Sequence, residues 1–243
     1  MKIVHLSDTH GWHKDSKCEE WLEEIAKEHQ PQVVIHSGDF MRHSMSSRDL
    51  NDFLDWFEEL PFEHKILVPG NHDRFCEQFE TDKDFRYMVI PDEVHLLINE
   101  SIEINGVKFW GSPYTPEFHN WGFQLDKGEE LEHWNKIPVD ADVLITHGPA
   151  KFILDDKYAE FSIGRKRRKE SSEFYESALG CPFLAERIKE LNKLQAHLFG
   201  HIHGGYGRDD SHGYVALNSS LMNEDYSLKN QPQVVSVKSK DKL

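Results

Sequence analysis

The chain has 243 residues, of which 38% are hydrophobic, a length and composition typical of one large α/β domain. Its formal net charge of −15 argues against a protein that coats nucleic acid or lies on anionic membranes, so neither a stable nucleic-acid complex nor a membrane partner is expected. A small phosphorylated substrate is compatible with this charge, because bound divalent metal ions reverse the sign of the field locally.

The first half of the chain alternates between short β-branched runs and helical patterns. Strands are predicted at Lys2–Ser7, Gln32–Ser37 and Lys65–Pro69. Helices are predicted between them at Cys18–His29 and Arg48–Leu60, where apolar residues recur at helical spacing. Such alternation indicates a parallel sheet with helices packed against it.

The second half is richer in closely spaced strands. Asn105-Gly106 is a hairpin signal between two of them, and a further helix is predicted at Leu184–Leu194. The polar stretch 151–180 is weakly periodic, so we expect a long loop excursion near the functional site, within a single domain that covers residues 1–243. The other predicted strands are Val94–Ile98, Ser101–Ile104, Val107–Gly111, Ala141–Thr146, Ala196–Phe199, Tyr214–Asn218 and Gln233–Val237.

Short polar motifs follow five of the predicted strands. Ligands bind beyond the carboxyl ends of strands in α/β sheets, so these loops can form one constellation. Each motif alone has a structural alternative: Asp8 and Asp39 could cap strand ends, and His147 could be a structural turn residue. Their shared position favours a functional site. In chain order the motifs are Ser7-Asp8-Thr9-His10, Ser37-Gly38-Asp39, Gly70-Asn71-His72-Asp73, Thr146-His147-Gly148 and Gly200-His201-Ile202-His203.

The residue types in these motifs suit a metal centre. Asp8 and His10 are two residues apart, as are His201 and His203, and in extended chain each pair faces the same way. Aspartate, histidine and asparagine without cysteine offer nitrogen and oxygen ligands, which suit Mn²⁺, Fe, Zn²⁺, Co²⁺ or Ni²⁺. Seven such residues exceed the need of one ion, and two ions about 3.5–4 Å apart that share a carboxylate fit better.

The order D-x-H, GD, GNH, H and GHxH resembles the calcineurin-like metallophosphoesterase superfamily, and all five blocks are present. The sequences His147-Gly148-Pro149 and Asn218-Ser219-Ser220 are similar to the MPPED subfamily. The resemblance implies an α/β fold, a four-layer α/β/β/α sandwich of two mixed sheets flanked by helices. After the GD block, Phe40-Met41-Arg42-His43 departs from the serine/threonine phosphatases, which argues against a protein phosphatase.

The same resemblance implies a set of ligands for two divalent ions. Manganese is the expected metal, and iron, zinc, cobalt, nickel and magnesium are the alternatives. The implied ligands are Asp8, His10 and His203 for a first ion, Asn71, His147 and His201 for a second ion, and Asp39 as the bridge between them.

Catalytic roles are implied for the residues that follow the third strand. His72 would contact the substrate phosphate beside Asn71 and help the leaving group to depart, and Asp73 would orient His72. An alternative from the residues themselves is that Asn71 and Asp73 cap a helix that begins near Arg74, and this is compatible with the catalytic role.

Histidines outside the motifs have other interpretations. His5, His36 and His197 lie within apolar strands and are expected to be hydrogen-bonded core residues. His13 and His43 follow the first two motifs closely, and contact with substrate is the alternative to a structural role.

Two further features could contact substrate. The dense basic run Gly164–Lys169 is either a solvated loop or a lip that attracts phosphate to the metal centre, through Arg165, Arg167 and Arg168. Trp12, Trp110 and Trp121 are expected to be packing residues, with stacking of a base on one of them as the alternative.

These observations predict a hydrolase that cleaves phosphodiesters of nucleotide type with metal-activated water. The alternatives are a phosphomonoesterase, or a metal- or nucleotide-binding regulatory protein with vestigial activity. Three scattered cysteines, a short apolar N-terminus and the lack of an apolar run of roughly 20 residues favour a cytoplasmic protein.

Overall fold

The structure, a computed structural model, describes residues 1–158 and 178–239. The strands in chain order are β1 (Lys2–Leu6), β2 (Val33–His36), β3 (His64–Leu67), β4 (Val94–Leu96), β5 (Glu100–Ile104), β6 (Val107–Ser112), β7 (Thr115–Pro116), β8 (Gln124–Leu125), β9 (Val143–Thr146), β10 (Ala196–Phe199), β11 (Gly207–Asp209), β12 (Val215–Asn218) and β13 (Gln233–Ser236). The α-helices are α1 (Ser16–His29), α2 (Ser47–Glu59), α3 (Gln78–Thr81), α4 (Lys83–Val89), α5 (Glu130–Trp134) and α6 (Pro182–Ile188), and 3₁₀ helices cover Arg74–Glu77 and His203–Gly205.

The strands form two large mixed sheets. The first sheet has the order β13-β1-β2-β3-β4, with β13 antiparallel to β1 and the other pairs parallel. The second has the order β11-β12-β10-β9-β6-β5, with parallel strands in its centre and antiparallel strands at both edges. The strands β7 and β8 form a small separate pair.

Alternation of apolar side chains along the strands divides the core into layers. On β2, Val33 and Ile35 pack between the two sheets, whereas Val34 packs on the opposite side with Phe53 of α2. On the second sheet, Leu144 packs outward in the cluster that contains Trp134 of α5 and residues of α6. The result is a four-layer α/β/β/α sandwich, so the predicted fold class is confirmed.

The parallel strands of both sheets deliver their carboxyl ends to one edge of the sandwich. Loops after β1, β2 and β3 carry the first three polar motifs, and loops after β9 and β10 carry the last two. The metal-ligand candidates therefore come from both sheets and meet where the sheets pack together.

The predicted elements match the structure closely, with one helix shortened. The helix predicted at Leu184–Leu194 ends at Ile188, and i→i−3 backbone bonds such as Glu190 N to Arg187 O form turns beyond it. Leu191 and Leu194 are nevertheless buried, which explains why their spacing resembles a helix. Helix α4 was not predicted, because it buries no residue fully and so lacks an apolar face.

No helix within residues 1–158 and 178–239 has both the length and the apolar character that crossing a membrane requires.

Candidate metal centre

The structure gathers the predicted ligands into two neighbouring sets. Asp8, His10 and His203 form the first set, and Asp39, His147 and His201 form the second, with the ligand atoms of each set within 4.8 Å of one another. Asn71 joins the second set, since its Oδ1 lies 2.9 Å from His147 Nε2. This grouping matches the implied one, and the binding of metal by each residue stays a prediction.

Asp39 lies between the two sets. Its Oδ1 is 3.3 Å from His147 Nε2, and its Oδ2 is 3.8 Å from His10 Nε2. One carboxylate oxygen thus faces each set, which is the placement that a shared ligand requires. The backbone N–H of His72 donates to Asp39 Oδ1 at 2.7 Å and fixes the orientation of the carboxylate.

The ligand loops adopt an uncommon backbone conformation. Asp8, His10, Asp39 and His201 have positive φ values of 54°, 43°, 56° and 66°. Such values are uncommon outside glycine, and they occur at functional sites where the surrounding structure enforces them. Here backbone bonds enforce them, because Asp8 N donates to Gly38 O at 2.9 Å and His10 N donates to Asp39 O at 2.9 Å.

Two glycines allow the loops to approach one another closely. A Cβ atom at Gly200 would overlap the carboxylate of Asp8, and a Cβ atom at Gly70 would overlap the carboxylate and backbone of Asp39. Any side chain at these positions would displace a candidate ligand. Glycine is therefore required at these positions of the GNH and GHxH motifs, because there is no room for a side chain.

Hydrogen bonds to backbone carbonyls fix the tautomers of two histidines. His147 Nδ1 lies 2.9 Å from Ser37 O, and His203 Nδ1 lies 2.9 Å from Asn223 O. A carbonyl only accepts, so each Nδ1 carries a hydrogen, and each Nε2, once it is deprotonated, directs a lone pair into the centre. This arrangement is typical of metal-binding histidines.

The resulting set of acceptors fits divalent cations. The Nε2 atom of His203 lies 3.4 Å from both His10 Nε2 and Asp8 Oδ1, and acceptors also converge around His147 Nε2. Lone pairs at such distances repel one another unless a proton or a metal cation lies between them. Nitrogen and oxygen donors without a thiolate suit Mn²⁺, Fe, Zn²⁺, Co²⁺ or Ni²⁺.

The two buried carboxylates control the electrostatics. Burial alone would raise their pKa values, but the neighbouring imidazoles outweigh burial and hold the pKa of Asp8 and of Asp39 below the usual range. Burial lowers the pKa of His10 to about 4 and that of His201 to about 3, so both rings are neutral and able to bind metal at pH 7. Burial disfavours a charged His147 as well, but Asp39 and Asp8 raise its pKa to about 9. A proton and a metal ion thus compete for the same lone pair of His147.

The carboxyl group of Asp73 is bonded to the backbone of the ligand loops. Its Oδ2 accepts the N–H groups of Asp39 at 2.8 Å and Gly70 at 2.7 Å, and its Oδ1 accepts the N–H of Met41 at 2.9 Å. Backbone N–H groups of the ligand loops thus surround the fully buried carboxyl group and occupy both of its oxygens. Burial and the charge of Asp39 raise the pKa of Asp73 to about 8. Asp73 thus holds the Asp39 loop in place, and the orientation of His72 by Asp73 stays a prediction. Its side chain does not cap the following helix.

His72 belongs to neither ligand set. Its ring lies 5.0 Å from the ring of His10 and 5.3 Å from that of Trp121. It lines a cavity of about 340 Å³ into which both ligand sets open, together with Asp39 and His201. A side chain in this place can reach a group that is bound at the metal centre.

Several residues of this cavity were missed by the sequence interpretation. Phe118, Lys157, Glu224 and Tyr226 line it, and they belong to no motif. Stacking of a base was the alternative to a packing role for the tryptophans. This alternative applies to Trp121, because its side chain also lines the cavity. No periodicity or spacing in the sequence links these residues to the ligand loops.

The histidines predicted to be core residues are all buried. His36 has partners on both ring nitrogens, namely Thr9 Oγ1 and the N–H of Gly38. His5 and His197 each have one partner, a hydroxyl bonded to Nε2, whereas Nδ1 of each ring has no partner among the described residues. The prediction of hydrogen-bonded core groups is correct for His36 and half correct for the other two.

His13 and His43 lie away from the cavity of the metal centre. They line a second, smaller cavity of about 200 Å³ with Asp49 and Asp52. His13 is buried, with its ring 5.3 Å from that of Phe53 in the core. The structural interpretation therefore fits His13. The basic run with Arg165, Arg167 and Arg168 lies outside the described residues.

The family model for calcineurin-like phosphoesterases matches residues 1–205 of the chain. The chain belongs to the calcineurin-like phosphoesterase family. Membership confirms the family predicted from the motifs.

Curated relatives agree with this assignment, and a solved structure shares the fold. Metallophosphoesterase domain-containing protein 1 of Homo sapiens, and that of Mus musculus, are each 33% identical to the chain over 225 residues, which cover 84% of the chain. The chain spans 64% of the length of these curated relatives. The crystal structure of TT1561 of Thermus thermophilus has the same fold, with a TM-score of 0.58 at 16% identity, and the match covers 89% of this chain and 88% of that chain.

Replacing Asp39 should impair metal binding by this calcineurin-like phosphoesterase. Asp39→Ala removes the carboxylate that faces both ligand sets, so two cations would have less negative charge between them. Elemental analysis of metal-replete protein should approach two ions per chain for the parent and fewer than about one for the variant. Asp210→Ala is the matched control, because Asp210 is an exposed carboxylate paired with Arg208, and it should retain both ions. A parent that saturates at one ion would contradict the two-site arrangement.

The buried histidines behind the centre should make the fold sensitive to acid. Burial lowers the pKa of His197 to about 3, below the unfolded value of 6.5, so this group contributes stability that is present above pH 6.5 and lost as the pH falls toward 3. Between pH 7 and pH 5 the loss from one such group is about 2 kcal/mol. His197→Gln keeps a hydrogen bond to Thr146 within reach and removes the titration. Urea unfolding at both pH values should show a smaller loss in the variant, and an equal loss would contradict the assignment.

Proposed function

We propose that this protein hydrolyses phosphodiesters of nucleotide type. The observation that carries the proposal is the opening of both ligand sets into one cavity beside His72. The cavity volume of about 340 Å³ is at the lower end of the range for small-molecule sites. A phosphate group placed against the ligand sets would lie within reach of His72 and Asn71.

The ligand residues would hold two divalent ions, and the remaining residues would act on the substrate. When bound, such ions lower the pKa of water toward neutrality and polarise phosphoryl oxygens. Asp39 would be shared by both ions, since each of its oxygens faces one set. Asp73 keeps the Asp39 loop in place through backbone N–H groups.

His72 is the candidate for the proton that the leaving group needs. Its backbone N–H is fixed to Asp39, and its ring lies in the cavity against His10 and Trp121. An imidazole can donate a proton to a departing alkoxide and is the side chain that most often does so in enzymes. We assign His72 as the group that protonates the leaving oxygen.

The carboxylates around the cavity favour a diester over a monoester as the substrate. The described lining of the cavity contains Glu117 and Glu224 but a single basic residue, Lys157. The whole chain is also acidic. A monoester carries close to two negative charges at neutral pH, because its second pKa is about 6, whereas a diester carries one. Repulsion from these carboxylates is therefore weaker for the diester, whereas bound metal ions would attract the phosphate of either ester.

Chromogenic substrates test the proposal directly. With Mn²⁺, thymidine 5′-p-nitrophenyl phosphate should have a higher kcat/KM than p-nitrophenyl phosphate, because the diester carries less charge and keeps a nucleoside. Asp210→Ala should match the parent protein on both. A preference for the monoester would identify a phosphomonoesterase, and no turnover of either by fully metal-loaded protein would contradict hydrolysis.

His72 should be separable from the ligands by kinetics. His72→Ala should retain most bound metal, while kcat falls by about 10²–10⁴, the usual contribution of a general acid. The loss should shrink for a p-nitrophenyl leaving group, which departs without a proton, relative to an alkyl leaving group. Loss of the metal itself in this variant would instead show that His72 belongs to the ligands.

A further inference from the structure

Large aromatic side chains surround the cavity of the metal centre. Phe118 is 55% exposed and Tyr226 is 51% exposed, and both line this cavity together with the partly buried Trp121. Single exposed apolar residues are normal on protein surfaces. Here three aromatic side chains cluster around one polar cavity, and their apolar ring faces lie next to the metal-ligand candidates.

Trp121 is attached to the loop that carries Asn71 and His72. The N–H of Gly122 donates to Asn71 O at 3.0 Å, and a Cβ atom at Gly122 would lie only 2.8 Å from Arg74 Cγ. The Trp121 ring packs at 5.3 Å from the ring of His72 and at 5.3 Å, edge to face, from that of Phe118. Trp121 thus forms a wall on the side of the second ligand set, in a place fixed by the backbone.

Tyr226 lies over the first ligand set. Its ring centroid is 5.0 Å from that of His10 and 5.1 Å from that of His203. It has a φ of 60°, which is an outlier for a bulky residue. The turn that imposes this conformation is tied to the metal centre, since Asn223 O accepts both Tyr226 N at 2.9 Å and His203 Nδ1 at 2.9 Å. Strain of this kind concentrates at functional sites.

We propose that Trp121 and Tyr226 are specificity-determining residues that bind a flat aromatic group attached to the substrate phosphate. The proposal rests on the proposed function, which places a phosphoester at the ligand sets. A phosphate there would place its ester group next to the aromatic walls, because the Tyr226 ring packs against His10 and the Trp121 ring packs against His72. Stacking on an aromatic ring accepts any base, since every base has a π-face. The recognised chemistry is therefore a nucleobase or another aryl ring, with no preference among bases from stacking alone.

Calorimetric titration of Mn²⁺-loaded protein tests this without requiring turnover. The probes are adenosine monophosphate, phenyl phosphate and methyl phosphate, which share the phosphate and differ in the attached group. The parent should bind both aromatic ligands more tightly than methyl phosphate. The measure of this preference is the dissociation constant of methyl phosphate divided by that of an aromatic ligand. Trp121→Ala and Tyr226→Ala should each lower this ratio by about 5- to 150-fold, the usual effect of removing a stacking partner. Trp121→Phe and Tyr226→Phe should restore most of the ratio, because they keep a ring.

Tyr87→Ala is the matched control. Tyr87 is an aromatic residue 76% exposed on α4, away from the cavity, so its replacement should leave all three dissociation constants unchanged. Elemental analysis of each variant shows whether a lower preference for aromatic ligands results from loss of metal. Trp121→Ala should retain its metal.

The outcomes separate this inference from the proposed function. Equal binding of all three ligands by the parent, or an undiminished ratio in both alanine variants, would overturn the aromatic walls while leaving hydrolysis intact. A gain for adenosine monophosphate with none for phenyl phosphate would also overturn them, because it would mean hydrogen bonding to the base. Tight aromatic binding by a metal-loaded protein that cleaves no ester would support the walls and contradict the proposed function.

Discussion

The burial of two carboxylates at the end of neighbouring parallel strands is the constraint on which the rest of the site depends. Asp8 and Asp39 are 0% and 2% exposed, and buried charges are costly unless they are paired. The strained loop backbones, the glycines that approach the carboxylates and the fixed imidazole tautomers all serve to surround these charges with compensating groups. Asp73 contributes indirectly, since it organises the Asp39 loop. A centre built in this way attracts cations before any substrate arrives.

Because each ligand set draws on both sheets, the centre couples metal binding to the packing of the sandwich. The first sheet supplies Asp8 and Asp39, and the second supplies His147 and His203. The apolar layer between the sheets lies directly behind these residues. Ions that bind only the assembled centre would therefore stabilise the packing of the sheets by mass action. Function and fold stability share the same contacts along this edge.

The strands, the main helices and the ligand candidates could be predicted from the sequence, because each has a local signal. The continuous apolar run Val33-Val34-Ile35 marks β2, and the motif after it places Asp39 at a strand end. The role of Asp73 could not be predicted, since its partners are backbone N–H groups of loops that meet only in three dimensions. The positions of Tyr226 and Phe118 at the cavity could not be predicted either. They reach the cavity through turns whose sequences show no periodicity, and helix α4 lacks the buried face by which helices are detected.

Anomalous diffraction from crystals of the Mn²⁺-loaded protein tests the two-ion centre most directly, because it locates the ions themselves. Two peaks about 3.5–4 Å apart are expected. One should lie beside Asp8 and His203 and the other beside His147, with an oxygen of Asp39 directed to each. A single peak at saturating Mn²⁺, or two peaks without Asp39 between them, would contradict a centre built around a shared carboxylate.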